Sequence, residues 1–198
     1  MNTVPHVRSL HRRALAVAGD LVARIRPSDL ARPSTCAGWD LAALMTHAIG
    51  QNHGFATAIQ DGDAPVSAYA GPAELTAAGL AGLCSTSAAR LTAAVASAPV
   101  QQQVRLVEFG PNAVFPVDTV VGFHLLDTTV HSWDIAASLG ESFRPDDELV
   151  AATAAVARQV PGGAARSQPG AAFGPALPAG QSDPWTAALA HLGREAAG

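Results

Sequence analysis

Apolar residues recur every three or four positions through much of the chain, which is the period of an amphipathic helix. The first such stretch covers residues 6–26, and Pro27 ends it. The second begins after Asp40, whose carboxylate can accept hydrogen bonds from the free amides of a first helical turn, and runs to about Gln60. The third covers roughly residues 72–97. The pattern therefore predicts three long helices in the first half of the chain.

A fourth long helix is predicted from Val117 to Gly140, because glycine suits the left-handed turn that follows a helix end. Before it, polar and apolar residues alternate around Val104 and Leu106, which favours a short extended segment. Four long helices joined by irregular connections predict an all-α protein built on a four-helix bundle. Bundles of this kind commonly bind metal between facing helices.

The C-terminal part of the chain is less regular. Acidic residues after Pro145 begin a fifth helical pattern, and a last short helix is expected around residues 184–195. The proline- and glycine-rich segment between them is expected to lie over the domain surface. We predict a helical bundle over residues 1–142 and a small helical extension over residues 143–198 that packs on it, within one domain overall.

Composition narrows the class of protein. Apolar residues make up 48% of the 198 residues, but no uninterrupted run approaches the roughly 20 that cross a bilayer. The formal charge is −4 and the arginines are scattered, so we expect neither a membrane nor a nucleic-acid partner. Because we identify no signal peptide, the expected location is the cytoplasm. The many apolar residues are compatible with a homodimer.

The two cysteines, Cys36 and Cys84, are too few for a disulfide framework, and we interpret each as a small buried hydrophobic residue. The sequence contains no nucleophile elbow, phosphate-binding loop or dinucleotide fingerprint. These observations favour metal-assisted chemistry or ligand binding over a serine-type mechanism.

Candidate chemistry is concentrated on the predicted fourth helix, in "FHLLDTTVHSWDIAASLG". His124, Asp127, His131 and Asp134 are offset by three, seven and ten positions, so they share one narrow stripe of the helix. The flanking residues are apolar, which predicts that the helix is buried on most sides. Buried carboxylates and imidazoles are costly unless they are paired or bind a metal.

Asp127 and His131 stand four residues apart, so their side chains lie on one face about one turn apart. Together with His47 of the second helix they would supply three ligands for a divalent metal and leave a fourth position open, as catalytic zinc sites do. The alternative is a hydrogen-bond network without a metal. Gln51, one turn after His47, could face the same cavity.

We assign no chemical role to Trp39 or to the remaining histidines. Trp39 is expected to pack as a core anchor where the second helix begins, and His53 falls on another side of that helix, towards solvent. His6, His11 and His191 have no partners at useful spacing, so we interpret them as surface residues.

Two motifs resemble those of a known family. The stretch "STCAGWDLAALMTHAIGQNHGF", followed some seventy residues later by "FHLLDTTVHSWDIAASLG", is similar to the actinobacterial metal-binding branch of the DinB-like superfamily. That branch is related to the N-terminal domain of mycothiol-dependent maleylpyruvate isomerase. The tail "FGPALPAGQSDPWTAALAHLGR" resembles the ending common in the same branch. The likeness therefore covers most of the chain.

The resemblance implies a DinB-like four-helix bundle with zinc, or alternatively nickel, bound by His47, Asp127 and His131. Relatives have glutamate or histidine at the position of Asp127, whose side chain is one methylene shorter than glutamate. His124 and Asp134 then become candidates for orienting a ligand or handling protons. The implied partners are a low-molecular-weight thiol, such as mycothiol, and a small-molecule substrate.

The activity implied by the resemblance is thiol chemistry, either S-transfer or isomerisation, because a thiol bound to a metal is deprotonated and becomes a nucleophile. The isomerase carries a larger C-terminal domain, and residues 143–198 are too few and too irregular to match it. We therefore expect a reaction other than maleylpyruvate isomerisation. The alternatives are a non-catalytic metal or small-molecule binding bundle, a metal-assisted hydrolase, and a helical domain without a metal.

Overall fold

The periodic stretches of the sequence are helical in the computed structural model, which describes residues 4–168, 171–178 and 183–195. The chain divides into two compact units, Met1–Phe143 and Arg144–Gly198. The predicted all-α class is confirmed. The helices of the first unit are α1 (Val4–Val22), α2 (Leu41–Asp61), α3 (Ala77–Ser97) and α4 (Val117–Leu139).

The ends of these helices follow from capping residues. The carboxylate of Asp40 accepts a 2.8 Å hydrogen bond from the Ala43 amide and begins α2, as predicted. Helix α3 begins five residues later than predicted, because the Thr76 hydroxyl accepts a hydrogen bond from the Gly79 amide at 3.2 Å and caps it there. After α4, Gly140 adopts a left-handed conformation with a φ of 77°, as its position predicted.

The predicted extended segment is one half of a small hairpin. Strand β1 (Gln103–Arg105) pairs in antiparallel fashion with β2 (Val114–Pro116), and Val104 stands opposite Phe115. The sequence-based prediction did not include β2. Past β1 the chain forms a single 3₁₀ turn, Val107–Phe109, so the extended segment is shorter than the alternation of residues suggested. Helix α4 follows β2 directly, which fixes the start of the helix that carries the polar stripe.

The four long helices form the predicted bundle. Both α1 and α2 pack against α3 and α4, so α1 lies diagonally across from α2, and α3 from α4. The apolar core is organised in two clusters. One includes Phe55, Leu91 and Val121, near the start of α4, and the other includes Leu44 and Ile135, near its end. The polar stripe of α4 lies between the two clusters along the helix.

Helix α2 is approached closely by the segment that follows it. A Cβ atom at Gly50 would overlap the backbone of Tyr69 and Gly71, and one at Gly54 would overlap the ring of Tyr69. The ring of Tyr69 also contacts Phe55 edge to face, with centroids 6.0 Å apart. The absence of side chains at Gly50 and Gly54 therefore lets Tyr69 pack directly on the helix backbone.

The second unit contains α5 (Asp147–Ala157) and α6 (Pro184–His191), which pack against each other. Helix α6 ends four residues earlier than predicted. The prediction that His191 is a surface residue is wrong, because its half-buried ring lies 3.2 Å from the guanidinium of Arg166. The predicted irregular segment falls partly outside the described residues, at 169, 170 and 179–182. None of the described helices combines the length and the apolar character that a membrane crossing requires.

Candidate metal centre

Three predicted metal ligands come together between α2 and α4. One potential ligand atom from each of His47, Asp127 and His131 lies within 4.8 Å of the other two. His131 Nε2 is 3.3 Å from Asp127 Oδ1, and the imidazole rings of His47 and His131 are nearly perpendicular with centroids 5.2 Å apart. Ligand atoms on a tetrahedral zinc lie about 2 Å from the metal, and hence about 3.3 Å from one another. Small side-chain adjustments would therefore let this donor set enclose a cation.

Asp134 lies on the far side of the His131 ring. The Nδ1–H of His131 donates to Asp134 Oδ2 at 2.8 Å, and the Asp134 side chain is completely buried. A hydrogen bond of this kind fixes the tautomer in which Nε2 carries the lone pair. Because Nε2 is the atom that faces Asp127, the ring of His131 is already oriented as a metal ligand.

The loop before α2 supplies further partners for Asp134. The hydroxyl of Thr35 donates to Asp134 Oδ1, and the thiol of Cys36 lies 3.5 Å from Oδ2. Cys36, His131 and Asp134 also form a second group that could hold a cation, but their ligand atoms already hydrogen-bond to one another. Cys36 is thus half-buried beside the centre, and not simply the small hydrophobic residue that we predicted. Thr35 has no sequence signal, because only the folded loop brings it to Asp134.

The charges of the three clustered residues are strongly coupled. Burial raises the pKa of Asp127, but the neighbouring His131 and His47 outweigh this effect and hold it below its ordinary value. Burial lowers the pKa of His131, whereas Asp127 and the hydrogen bonds with Asp134 and Cys36 raise it, and the net result lies well above the ordinary value. The pKa of His47 is lowered, chiefly by burial. Without a cation, His131 is therefore the protonated partner and Asp127 the ionised one, and a cation that binds at Nε2 of His131 would displace the proton from that atom.

His124 lies on the same stripe but faces a different neighbour. Its Nδ1 is 3.0 Å from Nε2 of His11 and 3.0 Å from the hydroxyl of Thr128, while its Nε2 has no hydrogen-bond partner among the described residues. The prediction that His11 is a surface residue is wrong, because both imidazoles are only 1% exposed. Sequence spacing gave no signal for this pair, which forms only because α1 packs against α4. His6, in contrast, is exposed.

Gln51 and Glu108 form a second polar pair close to the centre. The side-chain amide of Gln51 donates to Glu108 Oε1 at 3.2 Å. Burial raises the pKa of Glu108; the Gln51 hydrogen bond opposes this, and the negative charge of Asp127 adds to the rise. Sequence reasoning missed Glu108, which follows β1 in the 3₁₀ turn, because no motif surrounds it.

Trp39 and His53, which precede and follow His47 in the sequence, lie in environments that differ from those predicted. Trp39 is not a buried core anchor: it is 36% exposed and its ring lies against that of His47, with centroids 4.9 Å apart. It directly precedes Asp40, the residue that caps α2. His53 is half-buried, and its Nδ1 lies 3.5 Å from the guanidinium of Arg90 on α3. Its side chain is therefore on another side of α2 from His47, as predicted, but it packs towards α3 and not simply towards solvent.

A cavity of about 470 Å³ lies beside the centre, and we name it the α1–α3 cavity. Residues of α1 and α3 form its outer walls, and His124, Asp127 and His131 lie among the residues that line it from α4. Gln51, a predicted pocket residue, is not among the lining residues. The cavity gives a small molecule access to two members of the ligand cluster.

Comparison with known sequences gives two kinds of relative. The sequence model of the family described as "Mycothiol maleylpyruvate isomerase N-terminal domain" matches residues 11–136. The chain is also similar to uncharacterized proteins of Mycobacterium tuberculosis, from strain CDC 1551 / Oshkosh and strain ATCC 25618 / H37Rv. Each is 30% identical over 192 residues, which span 93% of this chain and 95% of the relative.

Solved structures show the same fold. The crystal structure of the mycothiol-dependent maleylpyruvate isomerase matches with a TM-score of 0.60 at 14% sequence identity, over 78% of this chain and 69% of that chain. A histidine-to-alanine mutant of a mycothiol-dependent maleylpyruvate isomerase matches with a TM-score of 0.62, at the same identity and coverage. At this identity the likeness concerns the fold alone.

Proposed function

Because the chain belongs to the family of the mycothiol maleylpyruvate isomerase N-terminal domain, a DinB-like family, we propose that it is a metal-dependent enzyme that activates a thiol for attack on a small electrophile. The observation that carries this proposal is the convergence of His47, Asp127 and His131. The proposed cation is zinc, with nickel as the alternative, and the proposed thiol is mycothiol. The proposed reaction is either transfer of the thiol sulfur to the electrophile or isomerisation of the electrophile.

The donor set fits a divalent cation. Two imidazoles and one carboxylate are a common set of protein ligands for catalytic zinc, and they leave one coordination position for a small molecule. His131 is held in the required tautomer by Asp134, which acts as a positioning residue through its own bonds to the loop before α2. When bound, the cation would lower the pKa of a coordinated thiol and keep it as the nucleophilic thiolate.

Protons need a separate acceptor, and we assign this role to Glu108. Its Oε1 is held by Gln51, so Oε2 remains to take up the thiol proton, and its raised pKa suits a base that must also release the proton again. Asp134 is engaged with His131. His124 lines the cavity with an Nε2 atom that has no partner in the described part of the chain, so it remains a proton-handling candidate for the electrophile.

Metal analysis of the full-length protein, purified without a histidine tag, tests the site. We expect about one equivalent of metal in the wild type and less than a tenth of that in His47→Ala and His131→Ala. His53→Ala is the matched control, because His53 stands on the same helix as His47 but its ring contacts Arg90, and this variant should retain the metal. Equal metal content in all three variants would overturn the site.

Adduct formation then tests the activity. The zinc-loaded protein is incubated with mycothiol and a panel of electrophiles, and adducts are quantified by mass spectrometry against the metal-free protein. We expect adducts above background only with zinc, and about a hundredfold lower rate in Glu108→Gln with unchanged metal content. Stoichiometric metal without adducts would instead indicate a binding protein, and turnover without thiol would indicate a hydrolase.

A further inference from the structure

The walls of the α1–α3 cavity consist mainly of small side chains. This is why space remains between two helices that pack against each other in the bundle. At Gly19 on α1, an added Cβ atom would meet no other atom within 4 Å. The small residues that line the cavity include Ala16, Ala18 and Gly19 on α1, and Ala81, Ser85 and Ala88 on α3.

The inner end of the cavity is partly polar, whereas its sides are apolar. Met45 and Ile49 of α2 and Ile135 of α4 line it together with the small residues. Cys84 also lines it, and burial raises the pKa of this thiol to about 12, so it stays neutral. An apolar body placed in the cavity would therefore exclude water from hydrocarbon surface on several sides.

Few positively charged side chains line the α1–α3 cavity. Among the lining residues, which all lie in the described part of the chain, Arg12 is the one arginine, and it is exposed. The acidic side chain of Asp127 also faces the cavity. A carboxylate could pair with Arg12 at the exposed side of the cavity or with a cation held by the ligand cluster, but elsewhere it would face an apolar wall, where an unpaired charge is costly.

We infer that the α1–α3 cavity binds the second substrate, and that this substrate is an electrophile with an apolar, aromatic or branched body. This inference rests on the proposed thiol chemistry and adds the substrate class to it. The volume of about 470 Å³ lies within the range of small-molecule sites. Approach through the cavity brings the electrophile to Asp127 and His131, the two α4 residues of the ligand cluster.

Binding is tested first without thiol, using 1,3-dinitrobenzene as an unreactive probe in equilibrium dialysis with the zinc-loaded full-length protein. Gly19→Leu places a larger side chain in the cavity and should weaken binding at least tenfold. Gly82→Leu is the matched control: it is another exposed helical glycine with nothing within 4 Å, and it does not line the cavity. It should bind as the wild type does.

Equal affinity in the wild type and both variants would overturn the inference. Transfer is then measured with mycothiol and 1-chloro-2,4-dinitrobenzene. In this reaction a C–S bond forms, the C–Cl bond breaks, chloride leaves with the bonding pair, and the thiol proton passes through Glu108 to the buffer.

The two measurements separate the two claims. If the probe binds in a Gly19-dependent way but no adduct forms, the proposed thiol chemistry fails and the cavity assignment stands as a binding site for an apolar molecule. If adducts form at equal rates in Gly19→Leu and Gly82→Leu, the chemistry stands and the assignment of the cavity fails.

Discussion

At the scale of single residues, His131 has its two ring nitrogens in different environments. Nδ1 donates to the buried Asp134, and Nε2 faces Asp127. Asp134 is itself held by Thr35 and Cys36. The ring is thus oriented before any ligand arrives, which reduces the entropic cost of binding a cation.

Asp134→Asn should weaken zinc binding about 10- to 100-fold, because the amide no longer enforces the tautomer with the lone pair on Nε2. Competition between the protein and a zinc-sensitive dye measures this. Thr35→Val is the graded control: it removes one hydrogen bond to Asp134 and leaves the carboxylate in contact with His131, so its effect should be smaller. Unchanged zinc affinity in Asp134→Asn would show that Asp134 does not position the ring.

Residue spacing in the sequence predicted the site residues on α4 but not their partners from other parts of the chain. His124, Asp127, His131 and Asp134 share a helix, so their common stripe follows from helical geometry. The partners Thr35, His11 and Glu108 come from a loop, another helix and a turn. Their approach depends on tertiary packing, which single-sequence periodicity does not encode.

At the scale of elements, caps explain which helix ends were predictable. Asp40 and Gly140 carry strong local signals, and both act as predicted. Strand β2 was missed because its residues form a short apolar run without polar alternation, and only its pairing with β1 identifies it as a strand. Close packing of Tyr69 on α2 was equally invisible, since a helical glycine alone does not reveal which neighbour approaches it.

Gly54→Ala should destabilise the first unit by about 2 kcal/mol, because the new methyl group overlaps the ring of Tyr69 and forces repacking. Gly82→Ala on α3 is the control for helix propensity: its methyl group meets nothing within 4 Å, so it should stabilise the protein by up to about 1 kcal/mol. Urea denaturation followed by circular dichroism measures both. A stabilised Gly54→Ala variant would contradict the close packing.

At the scale of the whole molecule, the His11–His124 pair joins α1 to α4 in the interior of the bundle. Burial lowers the pKa of His124 to about 4; Asp127 opposes this decrease, while His131 and His47 add to it. The pKa of His11 is lowered as well, first by burial and then by His124. Both imidazole rings are therefore neutral in the folded protein.

Stability should consequently fall with decreasing pH between about 6.5 and 4, since the unfolded chain binds protons at these histidines in that range and the folded chain does not. Above about pH 6.5 both states leave them neutral, so their contribution is constant. His124 alone should cost about 2 to 3 kcal/mol between pH 7 and pH 4.5.

The measurement compares the free energy of unfolding of the wild type and His124→Gln across this pH range. The readout is the slope, because the substitution also changes the stability at neutral pH. We expect a shallower decline in His124→Gln. Parallel curves would mean that His124 takes up a proton as readily in the folded protein as in the unfolded chain.

Along α4, the polar stripe shares the middle of the helix with the buried apolar side chains of Leu125, Leu126 and Val130, which lie on its other sides. Substitutions along the stripe therefore leave these packing contacts in place. Such a division makes the scaffold evolvable: a lineage can exchange a ligand or a wall residue and explore new reactivity while the same architecture persists.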